Sequence, residues 1–223
     1  MRWIFMIFFW LWAVTAHAGA WPREAGSVFI AFSADHTRAQ VYAEYGLKGD
    51  WSLGVEVSMP RGRRLPDVTS FIHYPVWRGA GGAILSAGTA MEQRETQAAV
   101  ALPQLKGAVE LAARAGLFWG KGFQTPWGDG WATVDLQVEK LITMDWLNAG
   151  LTYKLDAGIG LKPMDRLMLM AQAQAWRRGG EQTVRVETSV AWAFRRMHLV
   201  LSPSVGVIGP KEPRLKLGLW VEF

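Results

Sequence analysis

The stretch "RLKLGLWVEF", Arg214 to Phe223, decides the fold. At a period of two, Leu215, Leu217, Leu219, Val221 and Phe223 share one face, and Arg214, Lys216, Gly218, Trp220 and Glu222 share the other. One face of this strand calls for hydrocarbon. An apolar strand carried through to a phenylalanine, where chain ends are ordinarily frayed and polar, predicts that this terminus is itself part of a sheet.

The other end of the chain predicts export. Met1-Arg2 forms a short positive region, Trp3 to Val14 an apolar core of about a dozen residues, and Ala16-His17-Ala18 an A-x-A cleavage site ahead of Gly19. Residues 1–18 therefore read as a cleaved signal peptide and residues 19–223 as one mature domain, with no linker or shift of composition inside it. The apolar run falls short of the ~20 residues that a spanning helix needs. Downstream, charges at Glu44, Glu56, Glu110, Arg114, Asp135, Lys154 and Asp156 interrupt every apolar run, so no helical span is expected.

Half of the residues are apolar and thirteen are tryptophan, rich for a domain bathed in water. Cysteine is absent, which excludes disulfides and thiolate metal sites as sources of stability. Without Arg2 the chain carries 23 basic and 19 acidic residues, a diffuse net of +4 that gives no ground for a nucleic-acid partner.

Working back from the last strand, alternating segments recur between turn clusters. "WATVDLQVEKLI" (131–142) is the cleanest, with Ala132, Val134, Leu136 and Val138 set against Thr133, Asp135, Gln137 and Glu139. Residues 27–33, 40–47, 51–59, 70–77, 108–119, 149–161, 166–176, 183–194 and 198–208 behave similarly, and 83–93 more weakly. Helix is the competing reading for 94–102, ended by Pro103. The expected fold is all-β: an up-and-down antiparallel barrel of about 12 strands, with 10–14 as the bounds.

Two closures handle the edges of such a sheet. A soluble barrel turns its apolar face inward, and a membrane barrel turns it to lipid. The polar faces carry Gly54, Gly116, Gly158, Gly160, Gly206 and Gly218 among charges of both signs. Glycine weakens a strand unless something needs the space, so these faces suit a narrow interior better than a solvated surface. The predicted lumen-lining residues are Glu56, Glu110, Arg114, Asp135, Glu139, Lys154, Asp156, Arg185, Glu187 and Lys216. With a periplasmic N-terminus, the "KGD", "RGAGG", "KPMDR" and "FRRM" turns face the periplasm, as does "GKGFQTPWGDG" (120–130), read as a long turn or partial plug. Trp51, Trp77, Trp119, Trp131, Trp146, Trp176 and Tyr45, near strand ends, are expected to form interfacial girdles.

The final strand resembles the assembly signal of Gram-negative outer-membrane proteins: a polar residue, then Gly, an apolar residue and a terminal aromatic, matched by Lys216, Gly218, Val221 and Phe223. "YAEYGLKGDWSLGVEV" (42–57) is similar to strand–turn–strand units of small transporter-like barrels. The resemblance implies an outer-membrane β-barrel handled by the barrel-assembly machinery and surrounded by lipid and lipopolysaccharide. It brings no catalytic residues with it.

Chemistry is sparsely signalled. His36, His73 and His198 stand in no metal-ligand spacing, there is no G-x-S-x-G, and no cofactor is implied. Ser70 and His73 are three apart on a strand and fall on opposite faces; Ser204 with His198 is the other serine–histidine option. Asp135 and Glu139 share a face but stand about 13 Å apart at the usual strand rise, too far for a dyad. Arg61, Arg63 and Arg64, in an outer loop, are candidates for lipopolysaccharide phosphates, with solvated loop charge as the plainer reading. The expected function is a narrow passive channel for small polar solutes. A non-conducting barrel closed by its own ion pairs is the alternative, and an outer-membrane lipid hydrolase the third.

Overall fold

The computed structural model describes residues 20–96, 108–142 and 150–223. Twelve strands run β1 (Val28–Ala34), β2 (Arg38–Gly46), β3 (Ser52–Pro60), β4 (Asp67–Arg78), β5 (Ile84–Glu95), β6 (Val109–Thr125), β7 (Gly128–Leu141), β8 (Leu151–Met164), β9 (Leu167–Arg178), β10 (Glu181–Phe194), β11 (Met197–Ile208) and β12 (Arg214–Glu222). Each pairs antiparallel with its sequence neighbours, and β1 pairs with β12, which makes a closed up-and-down barrel. The signal peptide, the 94–102 helix alternative beyond Thr96, and Trp146 lie outside the described residues.

Closure explains the terminal strand. β12 is bonded to β11 on one side and to β1 on the other, from Phe29 opposite Glu222 to Ala34 opposite Leu217. Phe223 continues the ladder: its N–H donates to the Val28 carbonyl at 3.0 Å and its carbonyl accepts from the Val28 N–H at 3.2 Å. No strand is left as an edge, so no row of backbone donors and acceptors goes unpaired.

The alternation places apolar side chains outside and polar ones inside. Leu199 and Leu217 are 61% and 63% exposed to the surroundings, as are many other outward Val, Leu and Ile residues to lesser degrees, while Glu44 and Glu139 are 1% and 3% exposed. A water-soluble chain rarely bears an apolar belt of that extent, and a barrel in lipid requires it.

Two sequence expectations are corrected. "GKGFQTPWGDG" is neither a long turn nor a plug: β6 and β7 pair through it down to Thr125 opposite Gly128, leaving a two-residue turn of Pro126 and Trp127. Pro at the second turn position and Gly at the fourth, with φ +125° at Gly128, are what a tight turn takes, and the Thr125 hydroxyl donates to the Gly128 carbonyl at 2.8 Å. Because β5 pairs with β6 only as far as Gly120, this hairpin projects past its β5 neighbour. Reading Gly density as a loop overlooked that Gly120 and Gly122, on inner-face positions, and Gly130, on the outer face, all lie in continuous strands. The second correction concerns the aromatic girdle. Trp51 and Trp77 are exposed, but Trp131 points inward, 2% exposed, against Met168, Ala191 and Val200. Trp176 stands opposite Lys154 in register and shares the inner-face parity.

The inward glycines admit large rings. Trp131 faces Gly160 across β7 and β8, and Phe71 faces Gly54 across β3 and β4. A Cβ on Gly160 would come within 2.1 Å of the Trp131 ring, and one on Gly54 within 2.0 Å of the Phe71 ring. Gly160→Ala is therefore expected to cost about 1–3 kcal/mol by overpacking, read as a lower urea midpoint for loss of the heat-modifiable folded band.

Candidate functional site: the barrel interior

Neither end of the barrel interior is like the other. The far end, opposite the termini, is a charged wall. The end that carries the termini is filled by rings and by the chain segment that precedes β1.

The charged wall comes from β5 to β8. Arg94 donates to Glu110 at 2.7 Å and to Glu139 at 3.0 Å; Arg114 bonds Glu139 at 3.1 Å and also Glu92; Lys154 reaches Glu139 at 2.7 Å. Glu139 therefore holds three cations, each from a different strand, and is itself 3% exposed. Register makes this possible: Arg114 stands opposite Glu139, which stands opposite Thr152, one inward step from Lys154. Across the lumen, Lys216 pairs with Glu187 at 2.8 Å. Arg185 sits nearer the mouth, donating to Ser204 Oγ at 3.2 Å and to the Glu212 carbonyl.

The remaining predicted lining residues behave differently. Asp135 and Asp156 are directly opposed on β7 and β8, and among the described residues neither makes an ion pair. Glu56, on β3, likewise forms none of the short ion pairs, though it lines the same cavity as Arg114, Asp135, Lys154 and Asp156. That cavity measures about 440 Å³, and a second of about 290 Å³ shares Tyr42, Asp135 and Gln172 with it. All ten residues expected on the inner face thus occupy inward register, but they divide into a neutralised wall and unpaired carboxylates.

At the terminal end the segment 20–27 turns back into the barrel. Ala20 is fully buried and its carbonyl accepts from Ser86 Oγ at 2.6 Å. Trp21 packs against the Trp131 and Met168 cluster. Arg23 donates through Nε to Glu44 at 3.0 Å and through Nη1 to Glu222 at 3.1 Å, its N–H donates to Ser52 Oγ at 2.9 Å, and its guanidinium lies 4.3 Å from the Phe29 ring centre. Glu44 accepts in addition from Tyr42 at 3.1 Å and contacts His73 Nε2 at 2.7 Å. The wall is shaped for this segment, since a Cβ on Gly120 would meet Trp21 and Ala20 at 2.6 and 2.7 Å.

This half of the interior was missed from sequence. Glu44 and Tyr42 alternate with Val41, Ala43 and Tyr45, so their inward parity was readable. Arg23 precedes the first strand and gives no periodic signal. Arg94 was lost at a strand boundary drawn too early, β5 running to Glu95.

The arginine loop is partly spoken for. Arg63 donates to the carbonyls of Glu95 and Thr96, the Arg64 N–H donates to Glu95 Oε2 at 2.8 Å, and the Arg61 N–H to the Thr37 carbonyl at 2.6 Å. Arg63 ties its loop to the end of β5, and the side chains of Arg61 and Arg64 are exposed. As for serine–histidine pairs, His73 is inward and engaged with Glu44 while Ser70 is exposed on the outer face; Ser204 serves Arg185, six residues along β11 from His198.

No protein-family model matches the chain, and no curated protein sequence is similar to it. Solved structures are. The KdgM porin superposes with a TM-score of 0.61 at 9% identity, over 88% of this chain and 99% of its own. The NanC porin gives 0.59 at 9%, over 88% and 99%, and the β domain of the Bordetella autotransporter BrkA gives 0.50 at 12%, over 90% and 100%. The chain folds as an outer-membrane β-barrel. At these identities the likeness concerns the fold, and it supports an outer-membrane location.

Within this barrel Glu139 is the residue on which the charged wall depends. Glu139→Gln would leave Arg94, Arg114 and Lys154 facing one another with less compensation, so a loss of about 3–5 kcal/mol is expected, as for breaking a buried pair from one side. A double-mutant cycle with Lys154→Met, read by urea unfolding in lipid vesicles, should return a coupling well above that of an exposed ion pair.

Proposed function

We propose that this protein is a narrow passive channel for small polar solutes, closed at rest by its own N-terminal segment. The mature chain would begin after the export signal, with both termini periplasmic and the charged wall toward the cell exterior. The observation that carries the reading is the pair Asp135 and Asp156: in an interior where Glu139 gathers three cations, these two carboxylates remain unpaired and face a polar cavity at mid-barrel. Barrel interiors evolved only for support are better served by complete pairing, because an uncompensated charge away from bulk water is costly. Charged side chains that line a pore set its selectivity. The fold it shares with the KdgM and NanC porins is compatible with this reading.

The alternative, a non-conducting structural barrel, draws on the closed terminal end. There Ala20, Trp21 and Arg23 fill the interior together with Trp131 and Met168. A channel requires that segment 20–23 leave. Among the described residues no backbone ladder bond holds residues 20–23, so what keeps the segment in place is the Arg23 contacts, the Ala20 carbonyl and the Trp21 indole. The lipid-hydrolase reading gains nothing from geometry, since Ser70 and His73 point to opposite sides of the wall. Contact with lipopolysaccharide phosphates remains a proposal for Arg61 and Arg64, whose side chains are exposed.

Planar-bilayer recording tests this. The intact mature chain should open rarely. A chain beginning at Glu24, or Arg23→Ala, should conduct in discrete steps and remain open for most of the record. In the opened channel, Asp135→Asn with Asp156→Asn should lower the preference for cations, read from the reversal potential in a salt gradient. Folded barrels that stay silent with and without residues 20–23 would move the function to structural support.

A further inference from the structure

Seven buried side-chain polar atoms among the described residues lack a hydrogen-bond partner, and five of the residues that carry them line the same 440 Å³ cavity: Ser58 Oγ, Asp67 Oδ1, His73 Nδ1, Arg114 Nε and Asp135 Oδ1. Buried polar atoms are ordinarily satisfied, so five unpartnered ones on residues around one space single that space out. Ser58 is the clearest case, 4% exposed with its hydroxyl unpartnered.

The chemistry of these atoms describes the occupant. Carboxylate oxygens accept only, so Asp67 and Asp135 both demand a donor. His73 holds Glu44 through Nε2. Its Nδ1 accepts in the neutral ring that donates through Nε2 and donates in the protonated one. A hydroxyl serves either way, and Arg114 Nε asks for an acceptor. Charge points in the same direction. Glu56, Asp67, Asp135 and Asp156 line the cavity and make no ion pair among the described residues, while Arg114 and Lys154 on the same wall are tied to Glu92 and Glu139. Arg38 lines the same cavity and acts on Glu56 and Asp67, as Arg63 does on Asp67, without forming an ion pair with either.

We propose that this cavity binds a small aliphatic di- or polyamine from the external side. The carboxylates without an ion pair lie on two walls, Glu56 and Asp67 on β3 and β4, Asp135 and Asp156 on β7 and β8. One ammonium group neutralises one wall; two nitrogens joined by a methylene chain serve both. Tyr42 and Phe71, beside the first of these walls, stack with ring centres 5.4 Å apart, and Phe118 on β6 lines the same cavity, giving methylenes and cationic nitrogens aromatic surface to lie on. A neutral sugar would fill the hydrogen bonds but leave the carboxylates uncompensated, and an anion would meet them directly. The inference names a solute class for the interior described above; it needs the cavity to be reachable from solution and does not need conduction.

Calorimetric titration of the refolded, full mature barrel with spermidine tests it, with putrescine, glucose, acetate and magnesium chloride as comparison probes. Spermidine is expected to bind, more tightly than putrescine and more weakly as salt rises. Asp135→Asn and Asp67→Asn should each weaken it about tenfold, the loss of one charge-assisted contact. Ser58→Ala, which leaves every ion pair intact, provides a second variant should either carboxamide fail to give the heat-modifiable folded band, and should weaken binding severalfold. Asp50→Asn removes the same charge from an exposed turn at the terminal end, where Asp50 pairs with Arg78, and should leave binding unchanged. Absence of spermidine binding, equal heats from glucose, tighter binding of magnesium, or equal weakening by Asp50→Asn would each overturn the proposal. Spermidine binding by a barrel that never conducts would sink the channel and leave this site standing. Conduction indifferent to spermidine would do the reverse.

Discussion

Everything in this molecule follows from the pairing of β1 with β12. In a hydrocarbon surrounding, each unpaired backbone N–H or C=O costs several kcal/mol, so a sheet there must close on itself. The register from Phe29 opposite Glu222 to Ala34 opposite Leu217 achieves that, and the backbone bonds between Val28 and Phe223 carry it to the final residue. With the ladder closed, the period of two leaves each strand one lipid face and one interior face. A soluble fold spends its apolar residues on a core; here Leu199 and Leu217 spend theirs outside, and the core is made of what remains.

What remains is an interior that has to be filled by polar and aromatic groups, and the two ends solve this differently. Toward the termini, rings pack over glycines, Trp131 over Gly160 and Phe71 over Gly54, and the segment from Ala20 to Arg23 occupies the space still open. Arg23 joins that segment to β2, β3 and β12 at once through Glu44, Ser52 and Glu222. The other end packs by charge instead. Glu139 is the hub there because β7 lies between β6, which brings Arg114, and β8, which brings Lys154.

The strands, their outward faces and the antiparallel order were legible because lipid imposes a strict alternation, and "WATVDLQVEKLI" and "RLKLGLWVEF" display it without interruption. The inward position of residues such as Asp135, Glu139, Lys154 and Glu187 came with that alternation, since parity alone decides it. Partners were not legible. That Glu139 collects Arg94 depends on β5 reaching Glu95, two residues past the last visible alternation, and on a register that adjacent sequence does not encode. The hairpin at Pro126 was hidden by its own glycines, which the strands use to make room and a sequence reading takes for loop. Trp131 misled for a related reason: a tryptophan at a strand end suggests an interfacial belt, and only the glycine opposite it on the neighbouring strand reveals that the ring turns inward.

A barrel interior that did nothing but support the wall would pair its charges to completion, as Glu139 nearly does. The β7 and β8 strands do both. Their outer halves place Glu139 and Lys154 in an ion-paired network, and further in the same two strands set Asp135 opposite Asp156, neither of them in an ion pair. Like charges directly opposite destabilise a strand pair, so the arrangement works against the sheet that contains it. The ion-paired network beside it ties β5 through β8 together and opposes that cost. Stability is thus concentrated in one part of the wall and withheld from the part next to it.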